Sequence, residues 1–342
     1  MIKDSVLNVG VIGYGYWGPN LVRNFMSLGG LNVKAVSDLD IERLKSLSEL
    51  YPTIEYSTNY MELVNDPAIQ ALIVATPVSS HYEIAKVTLR AGKHCFVEKP
   101  LTQTSAQARE LIELADEKGV HLFVDYTFLF TGAVQKMKEE VQNGSLGNML
   151  YFDSVRINLG LFQHDVNVIW DLAPHDLSIM DYLIDRSAKA VSAIGACHVG
   201  NGLENVSYVS VIFDDNLVAH FHVNWLAPVK MRQIIVGGSE KMIIYDEMSM
   251  EKIKIYDRGV SMPADRENLI QGNSQFTYRM GDMIAPKLDD TEALKTECQY
   301  ILSCINSGKK PINDGEAGLR IVKMLEAATQ SMKLNGTAVE LS

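Results

Sequence analysis

Up to about residue 125, short and continuously apolar runs alternate with stretches in which apolar residues recur every three or four positions. The runs fall at 7–13, 32–38, 54–57, 71–77, 94–100 and 121–126. Ala71-Leu72-Ile73-Val74-Ala75 is typical: a strand covered on both faces reads as an unbroken apolar segment, whereas a strand with one wet face alternates. Between the runs, 104–118 sets Ala108, Leu111, Ile112 and Ala115 on one helical stripe able to pack on a sheet. Strand and helix in regular alternation predict a doubly wound parallel sheet with helices on both sides.

After about residue 145 the pattern changes. Segments at 149–157, 190–199, 204–213, 217–226, 230–237, 241–246 and 251–256 are separated by turn residues, which predicts a large, mostly antiparallel open sheet. Asp214-Asp215-Asn216 and Gly237-Gly238 read as tight reversals, because these residues tolerate the positive backbone angles that such turns need. Helical spacing returns near 290–307 and 314–333, while 258–288 shows no period and is expected to be a long surface excursion. The expected class is α/β: a Rossmann-type domain over 1–125, then an α+β domain over 126–342 whose last helices can pack back on the first.

Composition sharpens this in a few places. At 342 residues, 47% of them apolar, the chain exceeds one ordinary core and suits two. The formal charge of -11 is spread along the sequence with no Lys/Arg cluster, so nucleic acid is not an expected partner. Met1-Ile2-Lys3-Asp4-Ser5 does not lead into an apolar stretch, and nowhere do about 18 apolar residues run together. The expectation is a cytoplasmic protein with neither membrane span nor export signal. Cys95, Cys197, Cys298 and Cys304 lack metal-ligand spacing, so reduced thiols and no metal are expected.

Gly13-Tyr14-Gly15-Tyr16-Trp17-Gly18 follows the first strand and precedes a helical run opening near Pro19. A bare G-x-G-x-x-G is weak, but between strand and helix its glycines let the backbone approach a pyrophosphate at a helix N-terminus. The alternative is a glycine turn that only packs strand on helix. Asp38 ends the second strand twenty positions after Gly18, where a carboxylate accepts from the adenosine ribose hydroxyls. It favours NAD over NADP, since Ser37, Leu39 and Asp40 beside it include no arginine to receive a 2′-phosphate. Asp38 could instead cap the helix near Ile41, a role open to Asp40 as well.

Ala75-Thr76-Pro77 and Glu98-Lys99-Pro100 close the fourth and fifth strands, at the carboxyl edge where such sheets bind ligands. Lys99 is therefore a candidate catalytic group, though a solvated surface lysine is the other reading. In Trp170-Asp171-Leu172-Ala173-Pro174-His175-Asp176, Asp171 and His175 lie four apart and share a helix face. The carboxylate can orient the imidazole and favour its protonated form, an acid/base unit; an Asp cap beside a structural histidine is the alternative. Pro174 is expected near the start of that helix.

Taken together, Gly13 to Gly18, Ala75-Thr76-Pro77 with His81, Ala91-Gly92-Lys93-His94 running into Glu98-Lys99-Pro100-Leu101, and Asp171 with His175 resemble the glucose-fructose oxidoreductase/inositol dehydrogenase/MocA (Gfo/Idh/MocA) family along nearly the whole chain. Gly-Tyr-Trp-Gly-Pro-Asn at 15–20 and Trp170 to Asp176 look most like the nucleotide-sugar 3-dehydrogenases of surface polysaccharide and lipid A pathways. The resemblance implies that Lys99 and His175 meet at the reacting carbon with Asp171 assisting. Gly13, Gly15, Tyr16, Trp17, Gly18, Asp38, Thr76, Pro77, His81, Glu98 and Lys99 would hold the cofactor, NAD. The implied reaction is oxidation of a secondary hydroxyl, C3 of a sugar such as UDP-N-acetylglucosamine or its uronate. A 3-ketosugar reductase using NAD(P)H, an inositol or polyol dehydrogenase, and a non-catalytic dinucleotide-binding regulator are the rivals. Leu172, Ala173 and Pro174 stand where the family often has glycines, which opens the placement of Asp171. Alternation in Val206-Ser207-Tyr208-Val209-Ser210-Val211 and Phe221-His222-Val223-Asn224-Trp225 suits a subunit contact, so a homodimer or homotetramer is expected.

Overall fold

The structure, a computed structural model, describes residues 6–160, 162–163, 165–200, 202–261 and 277–341. Two compact units divide the chain: Met1–Thr131 with Thr291–Glu326, and Gly132–Asp290 with Ala327–Ser342.

The first unit opens with β1 (Leu7–Ile12), α1 (Gly18–Met26), β2 (Leu31–Ser37), α2 (Ile41–Leu50) and β3 (Glu55–Ser57). It continues through α3 (Tyr60–Asn65), β4 (Ala71–Val74), α4 (Val78–Arg90), β5 (His94–Val97), α5 (Ser105–Lys118) and β6 (Leu122–Val124). The six strands are parallel in the order β3-β2-β1-β4-β5-β6. Chain direction across the sheet reverses between β1 and β4, and this switch point opens a crevice at the carboxyl ends of the strands. Local signals fix the helices: Thr104 accepts from the Gln107 amide to cap α5, and Gly119, at φ 65°, ends it. Val9, Val11, Leu21, Phe25, Val36, Leu44, Ile73 and Phe96 share the core.

The second unit begins with α6 (Gly132–Gln142), β7 (Met149–Leu159), α7 (Val168–Leu183), β8 (Ala190–Ala196) and β9 (Val206–Ile212). Then come β10 (Val218–Asn224), β11 (Leu226–Gly238), β12 (Met242–Asp246), β13 (Ile253–Ser261) and β14 (Thr277–Ile284). The chain ends with α8 (Ala293–Ser307), α9 (Gly315–Lys333) and β15 (Val339–Glu340); α8 belongs to the first unit and the second boundary falls inside α9. Nine strands form one sheet, β14-β13-β12-β11-β7-β10-β9-β8-β15, antiparallel except for the β7–β10 pair. Phe152, Val209, Val211, Ala219, Phe221 and Val223 point inward from it, where α7 crosses β7, β9 and β10. The fold class is thus the expected one.

Three local expectations are corrected. Asn216, at φ 61°, makes the β9–β10 reversal as the sequence suggests, but Gly237 pairs with Met242 inside β11 and the reversal falls at Ser239-Glu240. Gly237 is there for contact rather than turning: a Cβ would sit 2.1 Å from the Tyr151 ring. Within 258–288, β13 and β14 form an antiparallel ladder. Tyr278, Met280, Met283 and Ile284 are all exposed, so no buried face imposes an alternating pattern; residues 262–276 lie outside the described residues. Pro174 is interior to α7, because the helix starts earlier, at an Asn167 cap that accepts from the Trp170 amide at 3.2 Å.

Candidate active site

In the first unit the glycine turn after β1 is shaped by close approach. Gly13 has φ 100°, and a Cβ on it would lie 2.3 Å from the Ala75 carbonyl oxygen; a Cβ on Gly18 would lie 2.4 Å from the Gly13 carbonyl oxygen. Gly15 is different: its nearest neighbour would be Arg43 Nη1 at 3.5 Å, so the missing side chain leaves room above the turn. α1 follows with no side-chain cap at Trp17 and no acidic residue in its first turn. Its first N–H groups and dipole therefore present positive potential to that space. Tyr16 is 82% and Trp17 43% exposed, their rings edge to face at 5.6 Å. A diphosphate fits this cradle.

Asp38 stands just past β2, its side chain largely buried. Oδ2 accepts from the Tyr14 amide at 2.6 Å and Oδ1 from the Asp40 amide at 2.8 Å. Capping of α2 belongs to Asp40, whose Oδ1 accepts from the Glu42 amide at 3.0 Å. No arginine adjoins Asp38 in sequence, but one turn of α2 brings Arg43 Nη1 to 3.6 Å from Asp38 Oδ2, and Nε to 3.3 Å from Asp40 Oδ2.

Thr76 and Pro77 follow β4 and Glu98-Lys99-Pro100 follows β5, so both loops lie with the glycine turn and Asp38 at one rim of the sheet. The Lys99-Pro100 peptide is cis. His81, in the first turn of α4, is buried. Its Nε2 lies 2.7 Å from the Thr76 carbonyl oxygen and its Nδ1 2.9 Å from that of Pro100. Burial, with the charge of Lys99, pushes its pKa down. Glu98 is buried too; loss of solvent and the neighbouring Asp125 carboxylate raise its pKa well above the usual range, against the pull of Lys99. Asp125 follows β6, and Thr127 donates to it from both its amide, at 3.2 Å, and its hydroxyl. Glu297 of α8 completes the group. Its Oε1 accepts from Asn313 Nδ2 at 3.1 Å, and with every carboxyl ionised its Oε2 would lack a donor. Burial and Asp125 raise the pKa of Glu297 well above the usual range, and protonation at Oε2 would remove that deficit.

In the second unit, Asp171 and His175 lie one turn apart on α7. Asp171 Oδ2 accepts from the indole Nε1 of Trp225 at 2.9 Å. Trp225 is buried, and Gly160 packs against it so tightly that a Cβ there would lie 2.3 Å from its ring. The adjacent Asp176 points into the sheet: Arg156 Nε and Nη2 donate to its two oxygens at 3.0 and 2.6 Å, and the Ser154 hydroxyl donates at 2.7 Å. Both members of this ion pair are almost inaccessible to solvent, with side chains 2% and 3% exposed. α7 is thereby fixed on β7 in azimuth, with His175 on the neighbouring helical position.

Sequence reasoning passed over Arg43, Asp125, Glu297, Trp225 and the Arg156–Asp176 pair. Two of these carry a legible signal. Glu297 falls on the stripe of Leu294, Cys298, Ile301 and Cys304, and Arg156 falls in register with inward Phe152 and Ser154; a charge on an apolar face demands a partner. Trp225 and Arg43 have none, because their partners are set by tertiary placement. Among the described residues no group of three His, Cys, Asp or Glu is placed to hold a metal ion, and no helix is long and apolar enough to cross a membrane.

Residues 7–126 match the oxidoreductase family with NAD-binding Rossmann fold, and residues 134–244 match the GFO/IDH/MocA C-terminal domain. A scyllo-inositol 2-dehydrogenase (NADP(+)) of Bacillus subtilis (strain 168) is 30% identical, over 97% of this chain and 95% of that protein. Among solved structures, a levoglucosan dehydrogenase in complex with NADH and levoglucosan superposes with a TM-score of 0.83 at 19% identity, covering 98% of this chain and 99% of that one. A UDP-N-acetylglucosamine 3-dehydrogenase from Acidithiobacillus ferrooxidans gives 0.79 at 23%, covering 96% of each chain.

Proposed function

Because the chain belongs to the Gfo/Idh/MocA family of NAD-binding oxidoreductases acting on CH–OH groups, we propose that it oxidises the C3 hydroxyl of a nucleotide-activated sugar, UDP-N-acetylglucosamine or its uronate. NAD, when bound, supplies the hydride acceptor. The turn from Gly13 to Gly18, with Tyr16 and Trp17 at its mouth, takes the pyrophosphate, and Asp38 accepts from the adenosine ribose. Thr76, Pro77, Glu98 and Lys99 border the nicotinamide end. His175 takes the proton from O3, while the ammonium of Lys99 donates to the same oxygen and stabilises negative charge as it develops. Asp171, anchored by Trp225, keeps an anion one turn from His175 and favours the imidazolium that proton transfer creates. The observation that carries this reading is the restraint on α7: Trp225 holds Asp171 and Arg156 holds Asp176, which leaves the helix little freedom to rotate its histidine away.

A polyol such as scyllo-inositol is the second reading, favoured by the activity of the 30% identical relative over nearly the full length of both chains. Incubation with NAD and a panel of UDP-sugars, their uronates and inositols, followed by absorbance of reduced nicotinamide, separates the two. Turnover of UDP-sugars is expected. Turnover of inositols alone would replace the nucleotide sugar by a polyol, and no turnover, with bound cofactor checked by mass, would point to a dinucleotide-binding regulator. We further propose a cytoplasmic homo-oligomer formed through the outer face of the nine-stranded sheet, where Ile194, Tyr208 and Val218 are exposed. A sedimentation mass of one chain at micromolar concentration would contradict it.

A further inference from the structure

The family resemblance puts His81 in the cofactor cleft, but its surroundings suit another task. The residue is 1% exposed, and both ring nitrogens already face main-chain carbonyls, at 2.7 Å for Thr76 and 2.9 Å for Pro100. No polar atom of the ring is left for a ligand. The two carbonyls are not arbitrary. Regular pairing of β4 with β5 ends at Val74 and Val97, so beyond the strands the loops carrying Thr76 and Lys99-Pro100 have no ladder between them. Pro100 has no N–H of its own to bind its loop down. The imidazole spans this gap.

Proton counting limits the ring to one of the two loops. Two carbonyls need two N–H donors, and a neutral imidazole has one. Burial and the charge of Lys99 push the ring toward the neutral form, so one carbonyl receives the hydrogen bond and the other only faces the ring nitrogen's lone pair. Resting on the catalytic reading of Lys99, we propose that His81 is a positioning residue that donates from Nδ1 to the Pro100 carbonyl and thereby fixes the backbone presenting Lys99.

Asparagine and glutamine separate the two nitrogens, since the amide of Asn overlays Nδ1 and that of Gln overlays Nε2. At saturating NAD and sugar, His81→Asn should retain about a third of kcat, whereas His81→Gln should lose about tenfold or more, the cost of roughly 1.4 kcal/mol of lost positioning. The reverse order, or equal losses, overturns the proposal. Combined with Lys99→Met, His81→Gln should add little further loss, because both act through one group; additive losses mean that His81 does not work through Lys99. Nitrogen-15 spectra of the histidine ring in the unaltered protein with NAD bound give a readout independent of folding of the variants. A proton on Nδ1 supports the assignment, and an Nε2-only tautomer contradicts it. Lys99→Met with unimpaired turnover would remove the catalytic reading of Lys99 while leaving the tautomer result standing, so the two failures are distinguishable.

Discussion

The first unit buries Glu98, Asp125 and Glu297 against one another, whereas the second gives the buried Asp176 an arginine with two hydrogen bonds. Burial and mutual repulsion raise the pKa values of Glu98 and Glu297 well above the usual carboxylate range. Such a group is sensitive to neighbouring charge, and Glu98 already feels that of Lys99 beside it at the carboxyl rim of the parallel sheet. A bidentate ion pair in the interior behaves differently. It tolerates loss of neither partner and fixes geometry, here that of α7, the helix that carries His175, on β7.

The contrast can be broken where it is strongest. Asp176→Asn leaves Arg156 buried and uncompensated and should lower unfolding stability by about 3–5 kcal/mol in urea titrations. Arg156→Met with Asp176→Leu should recover most of the loss. A cost under about 1 kcal/mol for the single change would mean that the pair does not fix α7. Next come Lys99→Ala and His175→Ala, one from each unit, each expected to lower turnover by about a hundredfold or more, with the double variant little worse than either. Strictly multiplicative losses would show that they do not serve one oxygen.

Asp38→Ser should weaken NAD by roughly tenfold, about 1.4 kcal/mol, and improve NADP, since the charge facing Arg43 is removed and its guanidinium can take a 2′-phosphate. Calorimetric Kd values for both cofactors check this, and unchanged NAD affinity would take Asp38 out of the ribose site. The smallest effect probes the carboxyl cluster. Burial raises the pKa of Glu297, so between the usual carboxylate range and that raised value the folded state holds a proton that the unfolded state has lost. Stability therefore falls as pH rises through this window. Glu297→Gln should raise Tm by roughly 2–4 °C at pH about 8, with the gain shrinking toward pH about 4.5. A gain independent of pH would mean that Glu297 is not protonated in the fold.

Legibility in the sequence follows the same divide. Strands buried on both faces, such as β4 and β5, are visible as apolar runs, and Thr104 and Gly119 mark the ends of α5 because capping chemistry is local. Of the second sheet, the segments with one packed face are visible by alternation, including the start of β13 within 251–256, while β14 is not, because Tyr278, Met280, Met283 and Ile284 are all exposed. Pro174 misleads about α7 since the signal that starts the helix, Asn167, lies two turns earlier and tertiary packing absorbs the lost amide bond. The candidate site is legible where residues adjacent in sequence act together, as in Gly13 to Gly18. It is hidden where a partner arrives from a distant segment, as Trp225 reaches Asp171 and Glu297 reaches the end of β6.

The central claim is that a secondary alcohol carbon gives up its hydrogen as the chain takes the hydroxyl proton. Sugar deuterated only at C3, UDP-N-acetylglucosamine or its uronate, puts this to the most direct test when incubated with unlabelled NAD. The account predicts deuterium in the reduced nicotinamide and a slower reaction than with unlabelled sugar. Reduced nicotinamide carrying only protium, at an undiminished rate, would contradict it.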